Sequence, residues 1–331
     1  MIQEIRIKNY LSFRDEVVLS FEATKDTTFE ECQVANVTPK VRLLRFALIY
    51  GANASGKSNL LKAMDFLRDF WFDKKSDIDE DTGVVPFLLD TETPNEPSEF
   101  NIKFFVGDKR YWYVLVLDDK QVIKEDLYVY NSVQPSLVFS RELDGTASLI
   151  KLNASLVKAN ATIVEQLNVK CLSNMSFFAA RNQVNCSLAY IDEVRDWMKN
   201  NMMPIIEPGT RMFEYAGKQM EKNAELKAYI LDFVHKADYN ITDVYTEREK
   251  VPIPDFVKTS IMEDKDIPEK TKEKMLADNA LERLRTDFQH TVKNKRGEEN
   301  YKLPNSLQSE GTKRTFGIEA AIYEAIKTNG I

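Results

Sequence analysis

Cysteine is scarce in this chain: Cys32, Cys171 and Cys186 are odd in number and far apart. That pattern supports neither a disulfide framework nor a zinc site, and it suits buried thiols in a reducing compartment. Histidine is scarcer still, with only His235 and His290, which excludes a His-rich metal centre. No run of about 18 apolar residues is present to span a bilayer, and no N-terminal stretch has signal-peptide form. The expectation is a soluble, cytoplasmic protein without a membrane partner. An excess of positive charge is also missing, since the formal net charge is −7. A global basic field for nucleic acid is therefore absent, and such a partner would need a local patch. Internal repeats, low-complexity tracts and sustained heptads do not occur, so solenoids and long coiled-coil arms are set aside.

What is present is enough apolar material for sizeable cores: 43% of 331 residues. That length suggests a head with one or two insertions. The most informative stretch is Gly51-Ala52-Asn53-Ala54-Ser55-Gly56-Lys57-Ser58. An apolar run over residues 43–50 precedes it and predicts a buried strand. Leu60, Leu61, Met64, Leu67 and Trp71 follow at helical spacing. Strand, G-x-x-x-x-G-K-S and helix in that order are the context in which a phosphate loop works. Glycines let successive N–H groups turn inward around phosphate oxygens, and the helix N-terminus adds partial positive charge. Lys57 would reach the β- and γ-phosphates, and Ser58 would place its hydroxyl on Mg²⁺. The expected ligands are ATP and Mg²⁺, with Gly51, Asn53, Ala54, Ser55, Gly56, Lys57, Ser58 and Asn59 as binding residues and Ser58 as the metal ligand.

Elsewhere the pattern is coarser. Ile2, Ile5 and Ile7, then Val17, Leu19 and Phe21, predict two strands joined by Asn9-Tyr10-Leu11-Ser12. Residues 23–42 read as a surface excursion and 74–81 as a charged loop. From Phe87 to Leu143 the period is two, with turns at Gly107-Asp108, Asp118-Asp119 and Asn131-Ser132, which predicts an antiparallel sheet. Its alternating aromatics serve packing better than base stacking. Residues 151–240 return to helical patterning, interrupted by Pro204 and Pro208, and 245–285 read as an exposed, charged helical insertion. Phe288, His290 and Val292, a turn at Lys295-Arg296-Gly297, then Tyr301 and Leu303 predict a hairpin in which His290 is an ordinary strand residue.

A second motif, Ser306-Leu307-Gln308-Ser309-Glu310-Gly311-Thr312-Lys313-Arg314, precedes a segment with Phe316, Ala320, Tyr323 and Ile326 on one side and Asn329-Gly330 as its C-cap. Alone, S-x-G-T reads equally as an ordinary N-cap. The N-terminal series Met-Ile-x-x-Ile-x-Ile-x-Asn-Tyr-x-Ser-Phe-x-Asp together with Gly-Ala-Asn-Ala-Ser-Gly-Lys-Ser-Asn resembles the start of ABC-class ATPases of the SMC, RecF and OLD type. In that light Ser309, Gly311 and Thr312 resemble the ABC signature in the Ser-x-Gly-Thr-x-Arg form of bacterial SMC-like ATPases. The layout is similar to the ATP-binding proteins of phage-defence and abortive-infection systems, including PARIS-type systems.

The resemblance implies an α/β fold: a P-loop NTPase head of the ABC type with an antiparallel β lobe and a helical insertion. It divides the chain into 1–85 with the phosphate loop, 86–145 as the β lobe, 146–285 as the insertion and 286–331 with the signature. It implies ATP hydrolysis and ATP-sandwiched pairing of heads into a homodimer or larger homo-oligomer. It further implies control of an effector nuclease, toxin or nucleic-acid partner; an OLD-type nuclease would require a metal-binding nuclease domain after the strand that follows the signature helix, and no acidic nuclease cluster is evident in these residues. In the family an apolar strand ending in Asp-Glu follows the signature helix and supplies the catalytic carboxylates. That strand is expected beyond Ile331 or from another chain, so the catalytic residues are unassigned, as is the glutamine of the β lobe for which Gln121 and Gln134 are available. A non-hydrolysing sensor or scaffold and a RecF-like DNA repair ATPase are the alternatives.

Overall fold

A computed structural model describes residues 1–237, 240–264, 267–277, 280–328 and 330. Contacts divide the chain into two compact units, Met1–Ile205 and Ile206–Thr328, so the divisions drawn at 85, 145 and 285 cut across the observed one.

In the first unit, β1 (Ile2–Lys8) and β2 (Val17–Ser20) form the expected hairpin. A short helix α1 (Glu30–Gln33) and a second hairpin, β3 (Val34–Thr38) with β4 (Val41–Leu44), occupy the excursion expected over 23–42. The helix after the phosphate-loop motif is α2 (Lys57–Phe70). Five long strands follow: β5 (Ser98–Val106), β6 (Lys109–Leu117), β7 (Val122–Tyr130), β8 (Ser136–Asp144) and β9 (Ala147–Leu152). They join the N-terminal hairpin in one sheet of order β2-β1-β5-β6-β7-β8-β9, in which every pairing is antiparallel. The hairpin and the β lobe are thus one structure.

Period-two patterning sorts the faces of this sheet. Phe100, Ile102, Phe104, Tyr111, Tyr113, Leu115 and Leu117 all point into the core. Against that face pack α2, α3 (Ala161–Lys170), α4 (Phe177–Arg181) and α5 (Ile191–Asn201). Asn160 starts α3 by accepting the Ile163 N–H at 2.9 Å. Ring contacts tie the layers together: Trp71 stands edge-on to Tyr113 at 5.6 Å, Phe139 stacks on Phe177 at 4.0 Å, and Phe104 stacks on Trp197 at 4.4 Å. Each such fully buried ring contributes about 1.5–3 kcal/mol relative to exposure.

The same core holds an ion pair, Glu125 on β7 and Arg141 on β8, with neither side chain reaching solvent. Glu125 accepts from the Tyr113 hydroxyl (2.9 Å), the Ser176 hydroxyl (2.7 Å), the Phe177 N–H (2.7 Å) and Arg141 (3.2 Å). Arg141 also donates to the carbonyls of Leu172, Ser173 and Met175 and to Ser148. Burial, reinforced by Glu125, pushes the Tyr113 phenol well above its ordinary value, so it remains a donor. The network pins the 172–176 segment and the start of α4 to the sheet.

The second unit contains α6 (Met212–Lys222), α7 (Ala224–Lys236), β10 (Asp243–Pro252), α8 (Asp255–Glu263), α9 (Glu269–Ala277), β11 (Ala280–Asn294), β12 (Gly297–Pro304) and α10 (Glu310–Thr328). Its sheet runs β10-β11-β12, again antiparallel. The region expected to be a helical insertion is therefore only partly helical: β9, β10 and the first part of β11 fall inside it. Strand β10 carries Glu247, Arg248, Glu249 and Lys250 in succession. Its place comes from backbone pairing with β11, which a hydrophobic pattern does not reveal. Phe288 and Phe316 meet edge-on at 4.9 Å in the core of this unit. Gly317 lets α10 approach α6, because a Cβ there would run into Met212. Of the expected C-cap of α10, Asn329 lies outside the described residues.

Candidate functional site

The site is built outward from the turn between β1 and β2. Asn9 sits there with φ of 51°, a left-handed conformation that Asn tolerates better than most residues. It is completely buried and makes connections in several directions. Its amide donates to the carbonyls of Thr93 (2.8 Å) and Glu96 (2.7 Å), and its side-chain oxygen accepts the Phe87 N–H (2.9 Å). Tyr10 packs against Phe66 and Phe100, and its hydroxyl donates to the Lys62 carbonyl on α2 at 3.3 Å. Burial, with a smaller push from Asp65, raises the Tyr10 phenol to about 12 and keeps that donor protonated. The Leu11 N–H bonds the Val85 carbonyl at 2.9 Å.

This fixed turn presents Ser12 and Phe13 to the phosphate loop. Gly56 has φ of 87°, and a Cβ there would lie 2.8 Å from Ser12 Oγ and 2.9 Å from Phe13 Cε1. Both the backbone angle and the close approach require glycine. From Asn59, one turn into α2, Nδ2 donates to Ser12 Oγ at 2.8 Å.

Within the loop itself, Lys57 Nζ donates to the carbonyls of Gly51 (3.0 Å) and Ala52 (2.6 Å) and reaches Ser55 Oγ at 3.4 Å. These bonds curl residues 51–55 around the ammonium. Ala54, at φ of 63°, takes the bend. None of the backbone N–H groups over residues 52–58 donates to another protein group. Asn59 N and Leu60 N close the first turn of α2 onto the Gly56 carbonyl at 2.9 and 3.2 Å. Gly51, Asn53, Ala54, Ser55 and Ser58 are exposed, and Gly56, Lys57 and Asn59 are half-buried. The loop is therefore a concentration of unused donors at a helix N-terminus, suited to an anion with many acceptor oxygens. The Ser58 hydroxyl is open to serve a cation held by that anion. Among the described residues, no group of three or more His, Cys, Asp or Glu side chains could hold a metal ion by itself. A cation here would rely on Ser58 and on oxygens of the ligand.

The segment feeding the loop departs from expectation. Strand β4 ends at Leu44, and residues 45–50 carry no regular structure. Phe46, Leu48 and Tyr50 are 64%, 77% and 92% exposed. The apolar run predicts burial, but among the described residues no strand lies beside it to provide that burial.

In the second unit, Ser309 stands at the start of α10. Its hydroxyl accepts the Thr312 N–H at 3.0 Å and lies 2.8 Å from the Thr312 hydroxyl. Ser309 and Gly311 are exposed, whereas Thr312 is buried. Thr312 thus turns its hydroxyl to that of Ser309. Among the described residues, a Cβ on Gly311 would meet nothing closer than Ser309 Oγ at 3.7 Å, so none of them requires glycine there for packing. Lys313 pairs with Glu310, and Arg314 donates to the carbonyls of Pro208 (2.5 Å) and Glu207 (3.2 Å). His290 lies 2.7 Å from the Gln308 amide, directly before Ser309. It is a strand residue, with a neighbour that its spacing in the chain did not indicate.

Residues 46–151, about a third of the chain, match a family model described as an AAA domain, putative AbiEii toxin, Type IV TA system. The matched segment holds the whole phosphate loop, α2 and the sheet from β5 to β8. No curated protein matches the chain. No helix among the described residues is long and apolar enough to cross a membrane.

Proposed function

We propose, from the premise of an AAA-type P-loop ATPase of abortive-infection type over residues 46–151, that this protein binds ATP and uses its nucleotide state to control pairing between copies. Pairing would in turn govern an effector in cytoplasmic anti-phage defence, either a nuclease or toxin protein or a nucleic acid. The observation that carries the nucleotide reading is the unengaged backbone N–H series over 52–58, wrapped around Lys57 at the start of α2. A triphosphate brings the acceptors and the negative charge that this loop is shaped to receive. Gly51, Asn53, Ala54, Ser55, Gly56 and Asn59 would form the cradle, Lys57 would neutralise charge, and Ser58 would hold Mg²⁺. When bound, the metal screens the phosphate oxygens.

Support for pairing comes from Gly311. Glycine at an exposed position in the first turn of a helix disfavours it by up to about 1 kcal/mol relative to alanine, and no contact with a described residue requires it. Close approach of an outside group to this backbone gives the glycine a purpose. In this reading Ser309 and Gly311 receive the γ-phosphate bound by another copy, and Thr312 holds Ser309 in place. The reading follows the SMC-like form of the ABC ATPases.

Among the described residues no carboxylate is hydrogen-bonded to the loop or to Ser58. Tight ATP binding with turnover far below the roughly 10 s⁻¹ typical of enzymes is the expected result for these 331 residues. Equilibrium binding and single- and multiple-turnover assays with Mg·ATP test it. Absence of ATP binding would remove the reading. Binding without any turnover would favour the non-hydrolysing sensor. DNA affinity that falls steeply with salt would favour a RecF-like role.

A further inference from the structure

We propose that Ser12 and Asn59 form a latch that sets the shape of the phosphate loop before nucleotide arrives, which makes Ser12 a positioning residue of the site. The proposal rests on the nucleotide reading above and identifies what prepares that site. Two sides of the contact differ in how firmly they are held. The turn carrying Ser12 is fixed by Asn9 to the carbonyls of Thr93 and Glu96, by Tyr10 to α2, and by the Leu11 N–H to Val85. Over residues 52–58, by contrast, no backbone N–H finds a protein acceptor, and the internal ties of the loop run through one amine, that of Lys57.

The bond from Asn59 Nδ2 to Ser12 Oγ, at 2.8 Å, spans these two parts. Asn59 follows Lys57 and Ser58 on the first turn of α2, so anchoring it fixes the direction in which that turn faces. The latch also holds the Ser12–Phe13 edge against Gly56, where no Cβ would fit. A loop already held in its binding shape loses less conformational freedom when a ligand orders it, and affinity rises accordingly. Ser12 is exposed and Asn59 half-buried, so removing either polar group leaves little core to disturb.

The test combines a substitution cycle with a measurement that needs no ligand. Dissociation constants for Mg·ATP would be measured for the wild type, Ser12→Ala, Asn59→Ala, the double variant and Ser12→Thr. One shared hydrogen bond predicts that Ser12→Ala weakens binding by about fivefold and that Asn59→Ala, which also alters the cradle, weakens it at least as much. The double variant should be no weaker than Asn59→Ala alone, and Ser12→Thr, which keeps the hydroxyl, should regain wild-type affinity. Effects that multiply in the double variant, or an affinity untouched by Ser12→Ala, would overturn the latch. In the nucleotide-free chain, amide hydrogen exchange at Asn59 and Leu60, whose N–H groups bond the Gly56 carbonyl, should quicken in both alanine variants, with the melting temperature unchanged. Unchanged exchange would overturn the latch independently of ATP, whereas a wild type that binds no ATP but shows the exchange effect would overturn only the nucleotide reading.

Discussion

Lys57→Ala is expected to weaken ATP binding by on the order of a hundredfold and to leave the nucleotide-free chain as stable as before. Hydrogen bonds to charged groups are worth about 1.5–3 kcal/mol each, and every 1.4 kcal/mol is tenfold in affinity. The ammonium is the one formal positive charge placed inside the loop, where it is held by the Gly51 and Ala52 carbonyls. Those carbonyls are exposed to water, so losing the amine strands no buried acceptor. Thermal unfolding separates the two effects. At an ATP concentration about a hundred times the dissociation constant, the wild type should gain roughly 2.7 kcal/mol of stability, and the variant should gain far less. A variant that keeps the full ATP-dependent shift would show that Lys57 does not meet phosphate.

Arg141→Met should be the most damaging single change to the first unit, costing about 3–5 kcal/mol. Methionine fills much of the space, so the effect comes from electrostatics and hydrogen bonding. Glu125 would remain buried without its counter-charge, and the carbonyls of Leu172, Ser173 and Met175 would lose their donor. In a unit of this size such a loss lowers the melting temperature by about 10 °C. Adding Glu125→Leu should recover part of the loss, because the stranded charge is then gone. Denaturant titrations of the wild type and the two variants measure this. A single variant within about 0.5 kcal/mol of wild type would contradict the role given to the pair. The phosphate loop is remote in sequence from this pair, so ATP affinity at low temperature should survive in whatever fraction stays folded.

Much of this molecule is legible in the local chemistry of its residues. The hairpin of β1 and β2, the helix after the phosphate loop and the antiparallel run from β5 to β8 were legible because alternation, helical spacing and Gly or Asn turns act within a few residues. The run over 43–50 was misleading for a physical reason: apolar residues state a need for cover but do not say which segment supplies it. Strand β10 hid behind alternating charges, since its position comes from pairing with a strand about forty residues later. The motif marks Thr312 as a nucleotide contact, and its cap hydrogen bonds with Ser309 become visible only in three dimensions. Asn9 and Ser12 belonged to a recognisable motif, but their partners at 87–96 and at Asn59 become apparent only in three dimensions.

The shared-nucleotide account is tested most directly by mixing two disabled forms, Lys57→Ala and Ser309→Arg, and measuring molar mass in solution with Mg·ATP. Each alone should remain unpaired, one for want of a held triphosphate and the other because an arginine obstructs the receiving helix end. Together they can assemble one intact site, from the loop of the Ser309→Arg copy and the α10 start of the Lys57→Ala copy, so a one-to-one pair holding one ATP should appear. A mixture no heavier than its components, or a Ser309→Arg protein that pairs with ATP as readily as wild type, would contradict it.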